Sequence, residues 1–125
     1  MLINLSNHPF EQWSEIQKQT AIQLYGDVTD MLFPQINPEA DDKEVLKIAE
    51  EYFNNIINSF SYKDFAVHIM GELCFCFTII QMLQKYGIKC IASTSKRNVV
   101  QKENVKTTVF EFCRFREYPK INNAR

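Results

Sequence analysis

Three groups of polar residues follow apolar segments that the sequence predicts to be strands. Histidine exchanges a proton near neutral pH, a carboxylate can act as a base or hold a ribose hydroxyl, and a cation can stabilise charge on a phosphate. Together these residue types could cleave a 3′–5′ RNA linkage through attack by its own 2′-hydroxyl, without a metal. The groups are Ser6-Asn7-His8, Gly71-Glu72 and Ser93-Thr94-Ser95-Lys96-Arg97.

This hypothesis gives each residue a role. His8 is the expected general acid or base, Glu72 is a second base or a ribose ligand, and Arg97 is the cation that faces the phosphate. The remaining members of the three groups are expected to bind the ligand through hydroxyls, amides, a second cation and a glycine that permits close approach. These ligand-binding residues are Ser6, Asn7, Gly71, Ser93, Thr94, Ser95 and Lys96.

The first two groups also have structural interpretations, which the sequence leaves open. Asn7 and His8 could cap the first helix, because asparagine is a good cap and a residue before proline prefers an extended backbone. Glu72 would be stabilised by the dipole of the helix that follows it, and Gly71 could simply form a tight turn.

Other titratable side chains are more simply explained by the fold. Lys96 and Arg97 could be solvated charges in a loop, and His68, inside an apolar strand, is interpreted as a hydrogen-bonded sheet histidine.

Cys74 and Cys76 would point in nearly opposite directions on a helix, so they could share neither a metal nor a disulfide. We therefore interpret all the cysteines as buried free thiols: Cys74, Cys76, Cys90 and Cys113.

Several familiar motifs are absent from the sequence. It contains no GxxxxGK[ST], no GxGxxG after the first strand, no GxSxG and no carboxylate cluster that suggests a divalent metal, and it has only three glycines. A Gly-rich phosphate cradle, an ordinary NAD site and a nucleophile elbow are therefore not expected. The sequence predicts neither a cofactor nor a metal, and any phosphate would be held by side chains such as those around Ser93.

Hydrophobic periodicity predicts strands that alternate with helices, followed by two strands in succession. The helix over residues 43–60 has the clearest apolar stripe, with Asp41 or Asp42 placed to cap it, and a turn is expected at Glu103-Asn104. Strands are predicted over 1–6, 27–34, 64–70, 88–94 and 106–118, and helices over 11–25, 43–60 and 72–87.

This order predicts an α/β, Rossmann-like, three-layer fold in a single domain over residues 1–125. The expected sheet has about five strands in the order 2-1-3-4-5, mostly parallel, with an antiparallel C-terminal strand at its edge. In such sheets ligands bind beyond the carboxyl ends of the strands, so the three polar groups are expected to converge there.

Charge and hydropathy narrow the class of protein. The formal net charge is −1, which does not favour binding of long DNA or RNA. The longest apolar run, residues 73–80, is far shorter than the ~20 residues that span a bilayer, and no leader is recognised. A soluble, cytoplasmic protein without membrane association is expected.

Three stretches resemble the small Rossmann-like proteins encoded beside CRISPR systems, among them the CARF-related ring nucleases. They are LINLSNHP at the first strand, HIMGE at the middle strand and IASTSKR at the fourth strand. The resemblance implies a homodimer with a shared pocket, a cyclic oligoadenylate ligand, and metal-independent cleavage of that ligand. When the site positions of that family are carried over to this sequence, the resemblance implies that the following residues line the pocket: Ser6, Asn7, His8, Gly71, Glu72, Ser93, Thr94 and Arg97.

The sequence leaves two alternative functions open. One is a nucleotide sensor of the same fold that binds the ligand without turnover. The other is a protein-interaction module that recruits a partner through the exposed edge strand over residues 109–115. Simple alternation in that strand places Phe110, Phe112, Arg114 and Arg116 on one face, and Val109, Glu111, Cys113 and Phe115 on the other.

Overall fold

The computed structural model describes residues 1–60 and 64–121. One five-stranded sheet has the order β2-β1-β3-β4-β5, parallel throughout except for the antiparallel pair β4–β5. The predicted fold class and strand order are confirmed. The elements are β1 (Leu2–Ser6), a 3-10 turn (Phe10–Gln12), α1 (Glu15–Tyr25), β2 (Val28–Leu32), α2 (Asp42–Phe60), β3 (Ala66–Met70), α3 (Leu73–Lys85), β4 (Lys89–Lys102) and β5 (Val105–Glu117).

Helices cover the sheet on both faces and create two cores. The larger core joins α2 and α3 to one face, through residues such as Ala49, Phe75 and Ile79. The smaller core joins α1 to the other face and includes Trp13 and Phe115. All five residues of β1 are buried, as expected for a central parallel strand covered by helices.

Side-chain caps define where the first two α-helices begin. Ser14 caps α1 by accepting a hydrogen bond from the amide of Gln17, so the interpretation of Asn7 and His8 as helix caps is wrong. The predicted cap Asp41 is confirmed, because it accepts from the amide of Glu44 while the Glu44 carboxylate accepts from the Asp41 amide. This reciprocal arrangement is a capping box.

The fourth strand is much longer than predicted. β4 pairs with β3 only as far as Ile91, then continues to Lys102 as one arm of a hairpin with β5. Glu103 and Asn104 both have positive φ, which confirms the predicted turn between the strands. The polar run after Ser93 resembled a loop, but its backbone groups are paired with β5. We name residues 94–113 the hairpin arm.

A register shift overturns the predicted faces of β5. Thr94 pairs with Arg114 and Ser95 pairs with Phe112, so Cys113 is an extra residue between the two pairs. A bulge of this kind reverses the alternation beyond it. Phe112 therefore packs beside Phe115, with ring centroids 4.9 Å apart, instead of pointing to the opposite face.

The thiols only partly match their predicted burial. Cys76 faces the core while Cys74 is exposed, as their opposite directions on α3 require. All four are free, but Cys74 and Cys113 lie at the surface, and only Cys76 and Cys90 are buried.

None of the helices in the described residues is long and apolar enough to cross a membrane.

Gly71 is required by packing. Its φ is not positive, but a Cβ atom at this position would overlap the ring of Phe33.

We expect Gly71→Ala to lower the free energy of unfolding by about 1–3 kcal/mol, the usual cost of overpacking. Urea denaturation of the purified variant measures this loss. In a Phe33→Leu background the same substitution should cost less, and equal costs in both backgrounds would contradict the packing explanation.

Candidate functional site

A cavity of about 630 Å³ lies at the carboxyl ends of β1 and β3 and along the adjoining part of β4. We call it the strand-end cavity. Its walls include the aromatic rings of Trp13, Phe110 and Phe112. Seven of the predicted site residues line it, which agrees with their expected convergence: Ser6, Asn7, His8, Gly71, Ser93, Thr94 and Ser95.

Glu72 lies elsewhere and already has a structural role. It lines a neighbouring cavity of about 890 Å³, which shares Ser6 and Asn7 with the strand-end cavity. Its carboxylate caps α3 by accepting a hydrogen bond of 2.7 Å from the amide of Phe75. The carboxylate is therefore engaged by the helix, as the structural interpretation proposed.

The two predicted cations line neither cavity. Lys96 pairs with Glu111 and Arg97 with Phe110 along the exposed part of the hairpin arm. The prediction that they end a strand is wrong, because the backbone there continues through a paired hairpin. His8, Glu72 and Arg97 consequently do not share one cavity within the chain, and the three-residue catalytic arrangement is not assembled.

A chain of hydrogen-bonded polar side chains reaches the strand-end cavity through two of its members, His68 and Ser93. Asn4 and His68 lie directly opposite each other on β1 and β3, and they are 1% and 2% exposed. The distance from His68 Nδ1 to Asn4 Oδ1 is 2.9 Å, and that from His68 Nε2 to Ser93 Oγ is 2.7 Å. We call this arrangement the Asn4–His68–Ser93 chain.

The neighbours of Asn4 determine where the protons lie. Asn4 Nδ2 donates to the His8 carbonyl oxygen and to Asp30 Oδ1, which are both acceptors. Asn4 Oδ1 must therefore face His68, so His68 Nδ1 carries the proton. The lone pair of Nε2 then accepts the hydrogen bond that the Ser93 hydroxyl donates.

The Asn4–His68–Ser93 chain is held by further hydrogen bonds at both of its ends. Asp30 Oδ1 also accepts from the amide of Phe10, and the Gln17 side-chain amide donates to Ser93 Oγ over 2.9 Å. The His8 carbonyl oxygen also accepts from Trp13 Nε1. The His8 backbone thus belongs to the buried network, whereas its exposed side chain borders the cavity.

Burial lowers the pKa of His68 from its usual 6.5 to about 4, because desolvation disfavours the imidazolium. At neutral pH the ring is uncharged and Nε2 remains an acceptor. Both ring nitrogens are hydrogen bonded, which confirms the interpretation of His68 as a satisfied sheet histidine. Its contact with Ser93 at a cavity wall was not anticipated.

A sequence signal for this chain did exist. Asn4 and His68 are polar residues in the middle of two apolar strands, and such residues are buried only with hydrogen-bond partners. Alignment of the carboxyl ends of these two predicted strands, at residues 6 and 70, places Asn4 opposite His68. The contribution of Gln17 from α1 had no comparable signal, because it depends on where the helix packs.

No group of three or more His, Cys, Asp and Glu side chains within residues 1–60 and 64–121 is arranged to hold a metal ion. The polar side chains among the residues that line the strand-end cavity carry hydroxyls, amides and the imidazoles of His8 and His68. These groups can hydrogen bond a ligand and exchange protons with it.

The fold is a Rossmann-like α/β domain, and a cavity with polar lining residues lies beyond the carboxyl ends of its strands. The chain matches the model of the uncharacterized protein MJ1673 family over residues 1–116, and it belongs to that family. A search of the curated proteins finds no match.

The lowered pKa of His68 makes stability depend on pH. His68 binds a proton near pH 6.5 in the unfolded chain but only near pH 4 in the folded chain. The free energy of unfolding therefore falls as the pH is lowered through this interval. Between about pH 7.5 and pH 4.5 the loss from this group is about 2–3 kcal/mol.

Urea denaturation across this pH range measures the loss. The matched variant His68→Gln keeps every other titrating group, so its free energy of unfolding should fall less over the same range. Parallel pH dependences for the two proteins would contradict the assignment of His68 as a buried neutral group.

Proposed function

We propose that this protein is a cytoplasmic ring nuclease of CRISPR antiviral signalling, which binds a cyclic oligoadenylate in the strand-end cavity and cleaves it without a metal. The observation that carries the proposal is the shared cavity itself. An exposed imidazole, an exposed aromatic ring and several hydroxyls border one space at the sheet edge where nucleotides bind in such folds.

The cavity walls are suited to a nucleobase. The ring of Phe110 is 67% exposed and borders the cavity beside Phe112. Stacking of a base on an aromatic side chain is worth about 1–3 kcal/mol. The side-chain amides of Asn7 and Gln12 also reach the cavity, and they can hydrogen bond the edge of an adenine.

The proposed reaction is attack of a ribose 2′-hydroxyl on the adjacent phosphorus. The P–O bond to the 5′-oxygen breaks, which leaves a 2′,3′-cyclic phosphate and a 5′-hydroxyl. His8 is retained as the group that takes or returns a proton, because its imidazole borders the cavity and a histidine is effective near neutral pH. Glu72 is not retained, because its carboxylate caps α3.

A homodimer is part of the proposal. The hairpin arm exposes apolar side chains that a second copy would cover, including Val99, Val100 and Phe110. No lysine or arginine among the described residues lines the strand-end cavity, although its proposed ligand is anionic. An arm from the partner could supply Lys96 or Arg97 to the phosphates.

The same lack of a lining cation favours a second candidate function, a sensor that binds the nucleotide and does not cleave it. Charge stabilisation at phosphate is a large part of phosphodiester cleavage, whereas stacking and amide contacts suffice for recognition. The sensor and the nuclease share the cavity and differ only in turnover. Long DNA or RNA is not a proposed partner of either.

The test is incubation of the purified protein with cyclic tetraadenylate and cyclic hexaadenylate in EDTA, followed by chromatography of the products. We expect linear products with a 2′,3′-cyclic phosphate, and a dimer by sedimentation. His8→Ala should lower the rate by about 10²–10⁴-fold, the usual contribution of general acid–base catalysis.

The matched control is Asn54→Ala, an exposed polar residue on α2 that borders neither cavity. Its rate should equal that of the wild type. Binding of either ring without any product would establish the sensor instead. Absence of both binding and products would overturn both nucleotide functions, and undiminished cleavage by His8→Ala would remove His8 from the mechanism.

A further inference from the structure

The proposed function uses Ser93 only to bind the ligand and gives no role to the hydrogen bonds of the Asn4–His68–Ser93 chain. A hydroxyl donates to an imidazole nitrogen over 2.7 Å, and the opposite nitrogen donates to a fixed side-chain oxygen over 2.9 Å. This is the order of groups found in serine hydrolases, whose third residue is an aspartate or glutamate, and in papain-like cysteine proteases, whose third residue is an asparagine. Such arrangements are recognised by geometry and occur on unrelated folds.

We propose that Ser93 is an activated nucleophile that hydrolyses a neutral carboxylic ester, with His68 as its general base and Asn4 as the positioning residue. The proposal does not rest on oligoadenylate cleavage, in which Ser93 need only bind. Ser93 is half-buried at the cavity wall, so its hydroxyl can be reached, whereas His68 and Asn4 are buried beneath it.

Each member of the chain is held in the orientation that the reaction needs. Two donated hydrogen bonds from Nδ2, to the His8 carbonyl and to Asp30, prevent the Asn4 amide from turning over. Asn4 Oδ1 then holds the proton on His68 Nδ1, which leaves Nε2 free to accept the proton of Ser93. Trp13 packs edge-on to the imidazole and limits its rotation.

The lining that one copy of the chain supplies to the cavity is suited to an uncharged ester. Its described lining has no lysine or arginine, but it has the apolar side chains of Met70, Phe110 and Phe112 for the acyl or alcohol group. The side-chain amides of Asn7 and Gln12 border the same space and are of the type that stabilises an oxyanion.

The reaction balances without a cofactor. Ser93 Oγ attacks the ester carbonyl carbon, and its proton passes to His68 Nε2. The C–O bond to the alcohol then breaks, and the departing oxygen takes the proton from Nε2. Water attacks the acyl-serine in the same way, which releases the carboxylic acid and restores the Ser93 hydroxyl.

The test uses a fluorophosphonate probe, which forms a P–O bond to an activated serine and releases fluoride. We expect the folded full-length chain to be labelled, and peptide mass spectrometry to place the label on Ser93. Ser93→Ala should abolish labelling, and Ser59→Ala, which removes an exposed hydroxyl on α2, should leave it unchanged. The urea-unfolded chain should not react.

The role of His68 as the general base requires a measurement that a merely structural role would not change. With His68 as the base, the labelling rate should stay nearly constant between about pH 5 and pH 8, because the ring is already neutral. An ordinary serine hydroxyl would react faster as hydroxide increases. His68→Gln should lower the rate at least about 10²-fold while its circular dichroism spectrum remains native.

Labelling that does not exceed that of the unfolded chain would overturn the proposal, as would a label on any residue other than Ser93. Both outcomes are read from the wild-type protein, so they do not depend on whether a variant folds. They are also separate from the oligoadenylate assay. A protein that cleaves cyclic oligoadenylate but is not labelled would retain the proposed function and lose this one.

Discussion

The hydrogen bond between Asn4 and His68 is the constraint around which the site is organised. It joins the two central strands at matching positions in a sheet whose faces are both covered. A polar pair at such a position costs little only when every donor and acceptor has a partner. No buried side-chain nitrogen or oxygen among the described residues lacks a partner, and meeting that requirement brings Asp30, Ser93 and the His8 carbonyl into one network.

This network connects the fold to the cavity. The segment after β1 turns back so that the His8 carbonyl accepts from Asn4 and from Trp13, while the residue itself remains exposed. Ser93 completes the other end where β4 leaves β3. The polar groups at the cavity are thus attached to buried strands, which limits their movement.

Much of this could be predicted from the sequence, because the relevant signals are local. Apolar periodicity predicted each of the main elements, and the turn at Glu103-Asn104 and the cap at Asp41 follow from residue type. Convergence of three strand ends followed from the strand order alone. The prediction failed at Arg97, because polar residues in a paired hairpin look like those of a loop. It failed again at Phe112, because a bulge has no clear signature in composition.

The sequence by itself determined the order of elements, the order of strands and the presence of polar residues at the sheet edge. Only the tertiary structure decided which of those residues act together. Glu72 is engaged by the amide of Phe75, Arg97 lies on the hairpin arm, and His68 contacts Ser93. The reason is that periodicity depends on neighbours in the chain, whereas hydrogen-bond partners such as His68 and Ser93 are chosen by strand register and helix packing between distant segments.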